Sequence, residues 1–205
     1  VKVYGVQAAG APSMYKSVKD GEIEELDKVS TIADGIAVKK PGDLTYEICS
    51  KYVDDIVTVT DDEISAAILA LMEQQKLVTE GAGAVSVAAA MFGKVDIKGK
   101  KAVCLLSGGN IDVTILSRVI NRGLLMSGRS CQLMIELVDK PGQLKDVARI
   151  IADLGGNVTS VHHERANEGS DVNGCYLSLV LETRNFDHIA EIRKALTDYG
   201  FKIEN

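Results

Sequence analysis

Beyond residue 130 the chain permits few folds. "CQLMIELVDKPGQLKDVARIIADLGGNVTSVHHERANEGSDVNGCYLSLVLETRNFDHIAEIRKALTDYGFKIEN" reads strand, helix, strand, strand, helix, strand. Pro141-Gly142 breaks the first strand, and a helix is expected from about Gln143 to Leu154. Gly155-Gly156-Asn157 stops that helix. A strand from Val158, the turn-rich Ala166–Gly174, a strand from Tyr176, a helix from about Phe186 to Tyr199 and a short last strand follow. β-α-β-β-α-β is the split βαβ arrangement, an antiparallel sheet with two helices on one face.

The part before residue 123 alternates strand and helix signals instead, which implies a parallel sheet. Val1 to Val6 and Asp54 to Val59 read as strands. Lys101 to Leu106 ("KAVCLL") reads as a third, nearly all apolar, as befits a strand covered on both faces. "DDEISAAILALMEQQKL" follows Thr60, an expected N-cap, and repeats apolar side chains at three and four. "GAVSVAAAMFG" predicts a helix of small residues suited to close packing. Asn110 to Arg122 predicts another, with Gly123 as its stop. Gly123 to Ser130 reads as a linker between two domains, residues 1–125 and 126–205. The strand pattern at the first residue, with no initiator Met, hints that the sequence starts inside a domain.

Composition narrows the function. The 205 residues carry a net charge of −6, which argues against nucleic acid, whose phosphates need a clustered basic surface. No apolar run approaches the roughly 20 residues that span a bilayer, and no secretory leader is evident. Cys49, Cys104, Cys131 and Cys175 form no CxxC pair, so free thiols in a cytoplasmic setting are expected.

Several short motifs carry chemistry. Ser107-Gly108-Gly109-Asn110 follows an apolar run and precedes a helical pattern, placing a hydroxyl and backbone N–H groups at a strand end. Those four residues fit a ligand-holding turn and an empty βα turn equally well. A dinucleotide is disfavoured, because G-x-G-x-x-G with a later acidic residue is missing. Glu80 precedes Gly81-Ala82-Gly83-Ala84 at a helix start, where a capping role suffices to explain it. Asp34-Gly35 and Pro41-Gly42 punctuate a loop. Asp139 to Leu144 joins a strand to a helix whose first N–H groups suit a carboxylate, although an ordinary turn fits as well. His162 and His163 point to opposite faces of a strand, so no metal site is expected there.

Taken together, "TIADGIAVKKPG", "DEISAAILALMEQQKLVTEGAGAVSVAAA" and "LLSGGNID" resemble the C-terminal half of a threonine dehydratase (threonine ammonia-lyase). These are pyridoxal-phosphate (PLP) enzymes of fold type II, close to serine dehydratase and serine racemase. "LVDKPGQLKDVARIIADLGGNVTSVHHER" resembles an ACT regulatory domain. The resemblance implies an α/β chain: a partial parallel-sheet PLP fold type II domain followed by a ferredoxin-like ACT domain. It matches Ser107 to the serine that meets the pyridine nitrogen of PLP. Gly108 and Asn110 then shape that pocket, and Glu80 and Gly35 line the ring. A neutral hydroxyl cannot protonate the nitrogen as a carboxylic acid could, so prompt loss of a β-hydroxyl is favoured over transamination.

The implied reaction deaminates L-threonine, or L-serine, to a 2-oxo acid and ammonia, which ties it to isoleucine biosynthesis. Its base is a Schiff-base lysine, and the cofactor phosphate rests on a glycine-rich loop. Neither an S-x-K-x-R-G motif nor a run of four glycines occurs in Val1 to Asn205, so no catalytic lysine is assigned and these residues alone are expected to be inactive. Serine-racemase-like relatives hold a divalent cation through two carboxylates where this sequence has Gln7 and Ser13, so no metal is expected there either. The ACT resemblance implies an amino-acid effector at Asp139, Gly142 and Asn157, and a homo-oligomer that dimerises through the ACT domain. Two further possibilities stay open: a non-catalytic fragment that binds an amino acid and dimerises, and a serine dehydratase.

Overall fold

The computed structural model describes residues 1–165 and 174–204. The predicted turn at Ala166–Gly174 thus lies almost wholly outside the described residues. The chain divides into two compact units, Val1–Gly123 and Leu124–Asn205.

In the first unit, strands β1 (Tyr4–Ala8) and β2 (Asp55–Val59) pair in parallel, with Tyr4 opposite Asp55 and Ala8 opposite Val59. Helix α1 (Ser13–Asp20) follows β1; Gln7 Oε1 accepts the Tyr15 N–H at 2.8 Å and so satisfies a donor of its first turn. Ser13 is buried, and its carbonyl accepts the Ser17 hydroxyl. A single 3-10 turn (Asp34–Ile36) and helix α2 (Asp43–Tyr52) lead to β2. Helix α3 (Asp61–Ala70) starts where expected. Thr60 and Glu63 form a reciprocal capping box, each side chain accepting the other's backbone N–H. Its end differs from the prediction: the last turn widens to a π-helix over Leu71–Gln75, and Lys76 terminates it at φ 59°. Helix α4 (Gly81–Met91) presents Ala82, Ala84, Val85, Ala88 and Ala89 to a core shared with Val59, Ile64, Ala67 and Ile68. Small side chains let α4 approach α3, β1 and β2 closely.

Two predictions fail in this unit. Lys101–Leu106 is not a strand. Its apolar run had suggested one, but a strand exists only where a neighbour takes up its backbone groups. Here the bonds run to α4 instead, from Ser86 Oγ to the Leu105 carbonyl and from Cys104 Sγ to the Ser86 carbonyl. Val103 and Leu105 are 99% and 77% exposed. Helix α5 (Val113–Met126) likewise runs through Gly123 rather than ending there. Gly123 is needed for contact, since a Cβ would sit 2.9 Å from Leu69 Cδ2. The stop is Gly128 at φ 68°: Arg129 N–H reaches Leu124 O and Gly128 N–H reaches Leu125 O, a Schellman pair. The expected linker is thus mostly the end of α5.

In the second unit, β3 (Ser130–Val138), β4 (Asn157–Arg165), β5 (Gly174–Glu182) and β6 (Lys202–Glu204) form an antiparallel sheet of order β4-β5-β3-β6. Helices α6 (Gln143–Asp153) and α7 (Phe186–Asp198) supply the two predicted helices. Alternation decides the packing: Cys131, Leu133, Ile135 and Leu137 of β3, with Cys175, Leu177, Leu179 and Leu181 of β5, turn inward to Val147, Ile150, Ile151, Ile192 and Leu196. Buried His188 is satisfied, its Nδ1 accepting the Arg184 N–H and its Nε2 bonding the Leu154 carbonyl. Among the described residues no helix is long and apolar enough to cross a membrane.

Candidate functional site

Three segments far apart in sequence meet at the start of α4. The turn Ser107–Asn110 lies against Thr79, Glu80 and Gly83. Glu80 N–H donates to the Gly108 carbonyl at 3.4 Å, and Asn110 N–H donates to Glu80 Oε2 at 3.3 Å. Buried Thr79 shares its hydroxyl proton between the Gly108 and Glu80 carbonyls at 3.1 and 3.2 Å. The 3-10 turn arrives from the other side. A Cβ on Gly35 would lie 3.1 Å from Ala82 Cβ and 3.4 Å from Glu80 Oε1.

This packing depends on missing side chains. A Cβ on Gly83 would lie 2.3 Å from both the Ser107 carbonyl oxygen and Thr79 Oγ1. One on Gly108, at φ 85°, would lie 2.5 Å from the Glu80 carboxylate. Asp61 fixes the approach of the 3-10 turn, accepting the Thr31 hydroxyl at 2.5 Å and the Ile32 N–H at 3.2 Å. Beyond the turn Asp112 caps α5, accepting the Thr114 hydroxyl and N–H. Those bonds, the hydroxyl's first, hold the Asp112 carboxyl below its usual range. Ser107, Gly108 and Asn110 stay exposed, so a hydroxyl and a glycine turn face outward at the N-terminal end of an 11-residue helix.

Gly35, Glu80, Ser107, Gly108 and Asn110 therefore gather at one place. Sequence reasoning missed Thr79, the buried hydroxyl that clamps the turn. A lone Thr before Glu80 gives no signal of that role.

Of the other three predicted residues, Asp139 and Gly142 line one cavity and Asn157 lies apart from it. Asp139 and Gly142 follow β3, at the end where Val138 pairs with Gly174. Asn157 starts β4 opposite Glu182, which itself pairs with Ser130, and its amide donates to Glu182 Oε2 at 2.8 Å. Eight residues of strand separate these ends, about 27 Å at the rise of an antiparallel strand. Within one chain Asn157 cannot share a ligand with Asp139.

The family model described as pyridoxal-phosphate dependent enzyme matches residues 1–108, just over half of the chain. The chain belongs to this family. The ACT domain model matches residues 132–198. An L-threonine ammonia-lyase of Thermotoga maritima is 48% identical over 203 residues, covering 99% of this chain and 50% of that protein. One from Geobacter sulfurreducens is 42% identical over 204 residues, with 100% and 51% covered. The chain thus spans about half the length of these relatives. The solved structure of the processed form of threonine deaminase isoform 2 from Solanum lycopersicum aligns with 61% of this chain and 35% of its own, at 35% identity and a TM-score of 0.57. The fold is accordingly the α/β combination expected, a fold type II portion followed by an ACT domain.

The family's cofactor is pyridoxal phosphate, and the turn at Ser107 fits its ring end. Gly83 and Gly108 draw the backbone of Ser107–Asn110 close to α4, where a side chain at either glycine would displace it. The exposed serine supplies a donor and acceptor suited to a ring nitrogen.

Proposed function

We propose that the protein carrying these residues is a PLP-dependent L-threonine ammonia-lyase, forming 2-oxobutanoate and ammonia. Similarity to L-threonine ammonia-lyases along essentially the whole chain supports this reading. The convergence of Gly35, Glu80 and Ser107–Asn110 at α4 is the observation that carries it. Residues 1–125 are then the C-terminal portion of the catalytic domain and 126–205 the regulatory domain. The lysine and the phosphate loop come from sequence outside these 205 residues, in keeping with relatives twice as long.

Bound pyridoxal phosphate supplies the electron sink that makes the Cα proton of an amino acid acidic. Ser107 would hold the ring nitrogen with a neutral hydroxyl, which would limit that sink and favour loss of the β-hydroxyl. Glu80 fixes the turn by accepting the Asn110 N–H, and Thr79 fixes it from beneath. The ACT domain binds a small amino acid, with Asp139 and Gly142 from one protomer and Asn157 from a partner. Exposed Met134 and Val138 lie on the sheet face away from the helices and favour such pairing. Cys49, Cys104, Cys131 and Cys175 form no disulfide, which suits the cytoplasm.

The test is 2-oxobutanoate release from L-threonine by the longer protein carrying these residues, with added PLP and run beside L-serine. Preference for threonine supports the proposal; turnover of neither amino acid refutes it.

A further inference from the structure

The β3–β4–β5 pairing assembles a group that no local motif announces. His163 lies opposite Leu177 on β5, so its side chain shares the inward face with Cys175, two residues before Leu177. Asp139 follows directly on β3, where Val138 meets Gly174. One ligand atom from each of Asp139, His163 and Cys175 lies within 4.8 Å of the other two. All three line a cavity of ≈ 80 Å³ together with Lys140, Gly142 and Gln143.

We propose that Asp139, His163 and Cys175 form a three-ligand site for a borderline divalent cation of the zinc class. The donor set makes the selection. A thiolate and an imidazole disfavour magnesium and calcium, which take oxygen ligands, and match zinc or cobalt(II). Tetrahedral bonds of about 2.0–2.3 Å place donors about 3.3–3.6 Å apart. The present spread of up to 4.8 Å must therefore close by about 1 Å. Asp139 and His163 are exposed, whereas Cys175 is buried in the core. On binding, the Cys175 S–H bond breaks, a sulfur–metal bond forms and the proton passes to water. His163 gives a nitrogen lone pair and Asp139 a carboxylate oxygen. Two anionic ligands neutralise the ion, so nearby Lys140 meets no net positive charge. Three protein ligands leave the fourth position open to the cavity, for water or a small anionic ligand.

The alternation that separates His162 from His163 still holds; the missing partners come from other strands. This site shares Asp139 and Gly142 with the proposed effector pocket but does not depend on the proposed lyase activity, and its test reads the metal directly. Untagged protein is titrated with cobalt(II) under reducing conditions and followed by near-ultraviolet absorption. The expected result is one equivalent bound with a sulfur-to-cobalt band, displaced by zinc. Cys175→Ser should abolish the band, and His163→Ala, at an exposed position, should weaken binding at least tenfold. No band in the wild type, or a band unchanged in Cys175→Ser, overturns the proposal. Should Cys175→Ser fail to fold by circular dichroism, the exposed variants His163→Ala and Asp139→Asn decide it. Unchanged cobalt affinity in both refutes the site.

Discussion

The core of the second unit is made of large branched side chains, Leu133, Ile135, Leu177, Leu179 and Ile192 among them, all essentially inaccessible. The first unit's core relies on Ala8, Ala33, Ala67, Ala82, Ala84, Ala88 and Ala89 around a few residues such as Ile64 and Ile68. Its large apolar residues are often outside: Leu44, Tyr52, Val103 and Leu105 are well exposed. The ACT sheet pairs four strands, whereas the parallel sheet pairs two. Burial scales with apolar area, so the second unit closes a core within its own chain and the first leaves apolar surface for something else to cover. The same first unit brings backbone into close contact at the Ser107–Asn110 turn, which is what its small residues permit.

The largest expected effect tests the better-filled core. Leu179→Ala should destabilise the second unit by about 2–5 kcal/mol, through lost burial and the cavity left behind. Urea unfolding read by hydrogen exchange in β3 and β5 measures it; a loss under 1 kcal/mol would mean the core is less tightly packed than described.

The next effect is local to the turn. Gly83→Ala should cost about 1–3 kcal/mol, because its methyl group collides with the Ser107 carbonyl. Faster exchange at the Glu80 and Asn110 amides is the specific readout. Unchanged exchange there would separate the turn from α4.

A smaller effect concerns acid. Arg122 bonds Asp62 at 2.5 and 2.8 Å, joining α5 to α3, and holds the Asp62 carboxyl below its usual range. A lowered folded value means the pair stabilises above the unfolded pKa of about 3.9, and that this is lost as pH falls through the folded value. Asp62→Asn should therefore lower Tm slightly at pH 7 and flatten the fall in Tm toward pH 3. Both side chains are partly exposed, so added salt should shrink the difference. An Asp62→Asn profile parallel to the wild type would rule out the pair as a source of acid sensitivity.

Least of all should come from Val103→Ser. With the side chain in solvent, unfolding of the 205 residues should shift by no more than about 0.5 kcal/mol. A larger loss would show that Lys101–Leu106 is buried as a strand after all.

Those contrasts also explain what could be read in advance. Alternation along β3 and β5 made the second unit legible, because strand faces there are settled by neighbours within 80 residues. Lys101–Leu106 misled because an apolar run records what a segment is suited to, while a strand needs a partner. Gly123 misled because glycine serves both a helix stop and close contact with Leu69. Gly35, Glu80 and Ser107 looked ordinary one by one. Only the resemblance joined them, and the fold then placed them together. Thr79 and the Asp139–His163–Cys175 group depend on distant pairings and left no local trace.

On the proposed function, Ser107 holds the ring nitrogen of a PLP-dependent ammonia-lyase. The most direct measurement compares L-threonine turnover by the protein carrying these residues with its Ser107→Asp variant, counting both 2-oxobutanoate and pyridoxamine phosphate. The expected result is PLP-dependent 2-oxobutanoate in the wild type, a loss of at least a hundredfold in Ser107→Asp, and pyridoxamine phosphate rising in the variant. Equal turnover and equal products in the two proteins would contradict it.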